Sequence, residues 1–339
     1  MPFIQQILKS DSLSIVGLEK NTGKTVCLNY VLERLKGYKV KMAVTSIGID
    51  GESRDQVTNT QKPEIFLNEN TIFATSEKHY KERRLISELI SIGSEMTSLG
   101  RIVTACTKYE GKVLLSGPSS TASLTRWMNE TRKTTEADLI IVDGALSRLS
   151  LASPAVCSSM ILSTGAALSS NIKTLVNKTA YVVELIKVDI TKHFKVLTSD
   201  KFTNGIFVLC NNEWIKLKTE SSLVFNGEDA SLIEDSEAVY ITGALTDRFL
   251  NLVSQKKGTL LPEVIVRDFT KIFVSEPILR NFSKRGGKIK VLSKSSLIAV
   301  CVNPLSPAGF KLDSDTLCKE LSDKIELPVY DIVKNGYEA

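Results

Sequence analysis

Residues 13–25 read Leu-Ser-Ile-Val-Gly-Leu-Glu-Lys-Asn-Thr-Gly-Lys-Thr: a short apolar run, a loop bounded by two glycines, and a Gly-Lys-Thr triplet. Leu13 to Val16 supply a strand, and Cys27, Leu28, Val31, Leu32 and Leu35 then recur at the spacing of one helical face. The loop therefore lies between a strand and a helix N-terminus. There, consecutive backbone N–H groups and the positive end of the helix can surround phosphate oxygens. Gly17, Asn21, Thr22, Gly23, Lys24 and Thr25 are the expected contacts to a nucleotide, with Lys24 reaching the β/γ-phosphates and Thr25 ligating Mg²⁺. The spacing is G-x5-G-K-T rather than G-x4-G-K-[ST], because Leu18 occupies the usual first glycine position and Gly17 comes one residue earlier.

A second element, Asp138-Leu-Ile-Ile-Val-Asp143-Gly144, is an apolar strand that delivers Asp143 to its C-terminal end. A carboxylate there can hold the Mg²⁺ from the side opposite Thr25, so that the phosphate charge is neutralised. Alone, an apolar strand ending in Asp is common and more often structural. Together, loop and strand predict one metal-nucleotide site.

Along the chain, strand-like runs alternate with helical patterns, which is the signature of β-α-β units around a parallel sheet. Strands are expected at 13–16, 39–45, 101–104, 113–115, 139–142, 159–162, 238–242, 263–266, 288–292 and 297–302. Leu85, Ile86, Leu89 and Ile90 share one side of a charge-rich stretch, which predicts a surface helix over 76–93. Between 200 and 235 the rhythm breaks into short runs separated by the turn-forming pairs Asn211-Asn212 and Asn226-Gly227. The expected organisation is a nucleotide-binding core over 1–199, a small β-rich insertion over 200–235, and an α/β part over 236–339 that completes or extends the core.

Open parallel sheets bind ligands beyond the carboxyl ends of their strands, so three further loops are candidates by position. Asp50 and Glu52, after the second strand, could position an attacking water or offer a second metal contact, a turn with solvated acids being the equally weighted reading. The run Ser116-Gly-Pro-Ser-Ser-Thr121 can cap a helix and present donors to an anion, simple capping being the blander reading. Asn303, ahead of Pro304, could read the edge of a purine base, against the plainer reading of a proline-rich turn. The two histidines, His79 and His193, lie in charged surroundings without a metal-ligand pattern, and a surface role is expected for both. No G-x-S-x-G elbow is present, so acyl hydrolysis is unsupported.

A 339-residue chain with 42% hydrophobic residues can bury a full core. Its six cysteines, scattered without a C-x-x-C pair, argue against a disulfide framework or zinc ribbon. No apolar stretch has the length of a membrane span, and residues 1–12 lack the pattern of a secretory signal, so a cytoplasmic location is expected. The net charge of +5, from 43 basic and 38 acidic residues, makes no strong case for nucleic acid but suffices to steer an anionic nucleotide.

The Gly17–Thr25 loop with the Asp143-Gly144 strand end resembles the dethiobiotin synthetase branch of P-loop proteins. That resemblance implies an α/β fold, a mostly parallel doubly wound sheet of P-loop NTPase type. In that family a lysine at the end of the second strand helps hold the substrate; the corresponding stretch here, 43–48, has none, which argues against carboxylation chemistry. The longer runs from Val142 to Arg148 and from Met160 to Leu168 are similar to a family of reactivase subunits associated with lysine 5,6-aminomutase. This second resemblance implies an ATP- and Mg²⁺-dependent ATPase with Lys24, Asp50 and Glu52 in catalytic roles. Its implied partners are a MutS-like ATPase and the cobalamin-dependent aminomutase. The rival expectation is an ATP-dependent small-molecule ligase or kinase with a second substrate near Asp50, Ser119 and Arg148.

Overall fold

The structure, a computed structural model, describes residues 3–47, 64–145, 153–225, 229–255 and 261–336. The chain forms two compact units, Met1–Ala180 with Ser295–Ala339, and Tyr181–Lys294.

Among the described residues the first unit opens with strands β1 (Ser12–Gly17), β2 (Met42–Ser46), β3 (Ile65–Leu67), β4 (Ile72–Ser76), β5 (Ser87–Thr97), β6 (Gly100–Thr107), β7 (Gly111–Val113), β8 (Leu139–Ala145) and β9 (Ser159–Gly165). The second unit holds β10 (Ile206–Cys210), β11 (Glu213–Lys216), β12 (Ala238–Ile241), β13 (Leu245–Thr246), β14 (Glu263–Val266), β15 (Ile272–Phe273) and β16 (Lys288–Val291). The chain then returns to the first unit with β17 (Ser296–Asn303) and β18 (Val329–Asp331).

A nine-stranded sheet in the order β18-β17-β9-β1-β8-β2-β4-β6-β5 organises the first unit. From β18 to β4 all neighbours are parallel, and the β5–β6 hairpin ends the sheet antiparallel. The expected mixed α/β fold with a large, mostly parallel sheet is present. Successive strand residues point to opposite faces, and β8 shows what each face buries. Leu139 and Ile141 pack with Cys27, Leu28, Val31, Leu32 and Leu35 of the helix Lys24–Leu35. Ile140 and Val142 pack instead with Leu124, Trp127 and Met128 of the helix Thr121–Thr135. Helices therefore cover both faces. The first helix leaves the carboxyl end of β1 and the second leads into the start of β8, so both N-termini lie at the carboxyl edge of the sheet.

The stretch expected to form a surface helix over 76–93 folds otherwise. A five-residue helix, Glu77–Lys81, is followed by a bridge between Arg84 and Lys112 and then by β5. Arg83 closes the helix by donating from Nη1 to the Tyr80 carbonyl at 2.6 Å while its guanidinium covers the Tyr80 ring. Beyond it, Ile90-Ser91-Ile92 alternates as a strand does, and pairing with β6 across a short turn outweighs the helical spacing of 85, 86, 89 and 90. β5 is bulged after Leu89 and again after Ile92, the irregularity that blunts an exposed sheet edge. The strand expected at 113–115 is displaced as well, since β7 pairs antiparallel with β3 two residues earlier.

In the second unit, β12, β14 and β16 are parallel, and the β10–β11 hairpin joins β12 antiparallel. Asn211 (φ 50°) and Asn212 (φ 65°) make the hairpin turn in the left-handed region that Asn tolerates, as their pairing in the sequence predicts. Leu197, Phe202, Phe207, Leu209, Tyr240 and Ile265 form its core. Among the described residues no helix is long and apolar enough to cross a membrane.

The tryptophans report the units separately, Trp127 sitting in the first and Trp214 in the second. In a Trp214→Phe background, Leu28→Ala should lower the unfolding free energy followed by Trp127 fluorescence in urea by about 2–5 kcal/mol. An unchanged midpoint would contradict the burial of Leu28 beneath the sheet.

Candidate functional site

The loop after β1 is held by contacts that the strand ends impose. Leu18 N–H donates to the Ser163 carbonyl (3.0 Å), and the Ser163 hydroxyl donates to the Thr22 carbonyl (2.6 Å). Thr22, fully buried, ties the loop to itself by donating from Oγ1 to the Glu19 carbonyl (2.9 Å). Asn21 (φ 62°) and Gly23 (φ 91°) both adopt left-handed backbone, which turns the chain sharply into the helix Lys24–Leu35. Gly23 offers no capping side chain. The first-turn N–H groups, which no α-helix can satisfy internally, are left for water or an anion.

Lys24 lies across the loop. A Cβ built on Gly17 would come within 2.7 Å of Lys24 Cγ, 2.8 Å of its Cδ and 2.6 Å of Thr22 Oγ1. The glycine that stands one residue early in the sequence is thus the one whose missing side chain admits the lysine stem.

β8 lies beside β1, and Asp143 is in register with Ile15 of β1 and Ser46 of β2. Its backbone carbonyl accepts from Ile47 N–H (3.1 Å), and its Oδ1 is buried. The two sequence elements therefore reach the same edge on neighbouring strands. On the other side of the loop, β17 ends at Asn303. Gly23 packs so closely that a Cβ there would lie 2.9 Å from Asn303 Cβ and 3.1 Å from Ile332 Cδ1. The helix is tied to the same strand by a buried contact in which Cys27 Sγ donates to Cys301 Sγ (3.7 Å). That hydrogen bond, together with burial, pushes the Cys301 thiol well above its usual range.

Across Asp143, the Ser116–Ser120 loop is drawn to the end of β2 by Ser46, whose hydroxyl donates to the Leu115 carbonyl (3.2 Å). Ser120 caps the following helix by accepting from Ser123 N–H (3.1 Å), so the capping reading of this run holds. Ser119 is exposed. His79 departs from the expected surface role: it is only 4% exposed, with Nδ1 2.9 Å from Ser116 Oγ. Ser116 Oγ also accepts from Ser76 N–H (3.0 Å) and lies 2.8 Å from Ser76 Oγ. This buried network fixes the start of the 116–120 loop on β4. The charges around position 79 in the sequence concealed it. His193 is partly buried, its ring edge-on to Trp214 at 5.6 Å.

The structure thus brings Gly17, Asn21, Thr22, Gly23, Lys24, Thr25, Asp143 and Asn303 to one edge of one sheet. Asp50, Glu52 and Arg148 lie outside the described residues. Ser163 and Ile332, which support the loop from behind, carried no sequence signal, since a serine in a strand and an isoleucine near the C-terminal end are unremarkable until the strand order is known. Among the described residues no group of three or more His, Cys, Asp or Glu side chains is placed to hold a metal by itself.

No protein-family model matches the sequence, and neither the curated proteins nor the solved structures show a match.

Gly23→Ala should cost about 1–3 kcal/mol, because the substitution both forces alanine into left-handed backbone and presses on Asn303. Urea unfolding followed by Trp127 fluorescence measures it. Wild-type stability in this variant would refute the close packing of loop and β17.

Proposed function

We propose that the Gly17–Thr25 loop binds the polyphosphate of ATP and that the protein is a Mg²⁺-dependent ATPase of P-loop type, acting in the cytoplasm. One observation carries this reading: Lys24 lies over Gly17 at the mouth of an uncapped helix, beside the strand that bears Asp143. Main-chain donors, a cation and a carboxylate are what a magnesium polyphosphate requires, and they converge here without a competing side chain at position 17 or 23. Lys24 would contact the terminal phosphates, and Thr25 with Asp143 would hold Mg²⁺, which supplies charge neutralisation when bound. Asp50 and Glu52 are the proposed acids for orienting water.

The biological role we infer is that of a reactivase subunit for a cobalamin-dependent lysine 5,6-aminomutase, working with a MutS-like partner ATPase. Support comes from the resemblance carried by Val142–Arg148 and Met160–Leu168. Expelling a tightly held, inactive cofactor needs a protein that alternates between two conformations, and nucleotide binding followed by hydrolysis biases such a cycle. A second reading, a ligase or kinase of dethiobiotin synthetase type, is favoured by a different observation. The Ser116–Ser120 loop and the helix it caps stand at the end of β2 beside Ser46, where a small acceptor could face the nucleotide.

Calorimetric titration with MgATP tests the shared premise. Lys24→Ala should weaken binding at least about tenfold, and an unchanged affinity would refute the assignment. ATPase rates then separate the two roles. Stimulation by aminomutase carrying inactive cobalamin supports the reactivase, whereas stimulation by a small acceptor alone supports the ligase or kinase.

A further inference from the structure

We propose that Asn303 is a positioning residue for the Gly17–Thr25 loop, acting on a bound nucleotide through the loop backbone rather than by reading its base. The inference rests on the nucleotide reading above, although its geometry stands apart from it. Asn303 Oδ1 accepts from Leu305 N–H (3.0 Å), which fixes which end of the amide is oxygen. The donor end, Nδ2, then faces the loop and donates a long hydrogen bond of 3.5 Å to the Asn21 carbonyl. Asn21 is the residue where the loop first turns left-handed, and two residues later Gly23 rests directly on Asn303 Cβ. One side chain therefore touches both corners that set the direction of the loop.

Asn303 is itself held firmly. Its backbone carbonyl accepts from Ala166 N–H (2.9 Å), and it aligns with Gly165 in the β9–β17 pairing. A Cβ on Gly165 would overlap that carbonyl, so the two strands meet here with no intervening side chain. Oδ1 accepts from Leu305 N–H and Nδ2 donates to the Asn21 carbonyl, so one acceptor and one donor position of the amide are already taken by protein, which favours a structural use of the side chain. What remains is mechanical: β17 presents a rigid stop against which the loop keeps its curvature.

Three probes separate the brace from a base reader: MgATP, MgGTP and inorganic tripolyphosphate, each titrated into wild type, Asn303→Ala and Asn303→Asp. A brace predicts that Asn303→Asp, which sets a carboxylate oxygen against the Asn21 carbonyl, weakens all three by a similar factor, about fivefold to tenfold. A loss confined to ATP, with GTP and tripolyphosphate untouched, would overturn the proposal in favour of base reading. Equal affinities in all variants would overturn it outright. If wild type binds none of the probes, the nucleotide reading fails instead, and amide hydrogen exchange still decides the brace. Residues 18–24 should exchange at least about fivefold faster in Asn303→Ala with the second unit unchanged; identical exchange would refute it.

Discussion

At the carboxyl edge of the large sheet, three strand ends approach so closely that glycine is required between them. Gly17 leaves the space that the Lys24 stem fills, Gly23 rests on Asn303, and Gly165 meets the Asn303 carbonyl. The approach at Gly165 is to backbone, while those at Gly17 and Gly23 are to the side chains of Thr22, Lys24 and Asn303. Together these contacts limit how far the loop can relax and let the Lys24 stem lie across Gly17. Protein interiors tolerate little overlap, so a methyl group at any of the three would move a neighbour and with it the loop.

The helix starts around this edge direct partial positive charge to one side of the sheet. One helix begins beside β1 on one face and another precedes β8 on the opposite face, and both direct their positive ends to the same side. The first is closed by a glycine without a capping group, while the second is satisfied by Ser120. Two similar helix starts therefore differ in what they leave available, and the difference comes from a single residue at each N-cap. The Ser76–His79–Ser116 network holds the second loop in place, a polar core under a charged stretch of sequence.

The local elements of this fold were legible in the sequence wherever one pattern dominated. The strand-loop-helix at 13–35, the apolar strand that carries Asp143, which runs on to Ala145, and the Asn211-Asn212 turn each depend on neighbours in the chain, and each is found. The region after Ser76 was misread because its apolar residues satisfy two periods at once, and pairing with β6 settled the choice. Strand order was not legible. It places β8 and β9 on either side of β1 and brings β17 to the far side of β9, relations between residues more than a hundred positions apart. His79 was misjudged for the same reason, since its burial comes from Ser116, 37 residues away.

The link between Asn303 and Asn21 spans 282 positions, with the entire second unit, Tyr181–Lys294, synthesised in between. A ribosome adding roughly 5–20 residues per second delivers the supporting strand tens of seconds after the loop it supports. During that interval the nascent N-terminal region carries its Gly-Lys-Thr turn without its backing. Support for the loop is in this sense a late event in the birth of the molecule, reached only when the chain has come back to its own beginning.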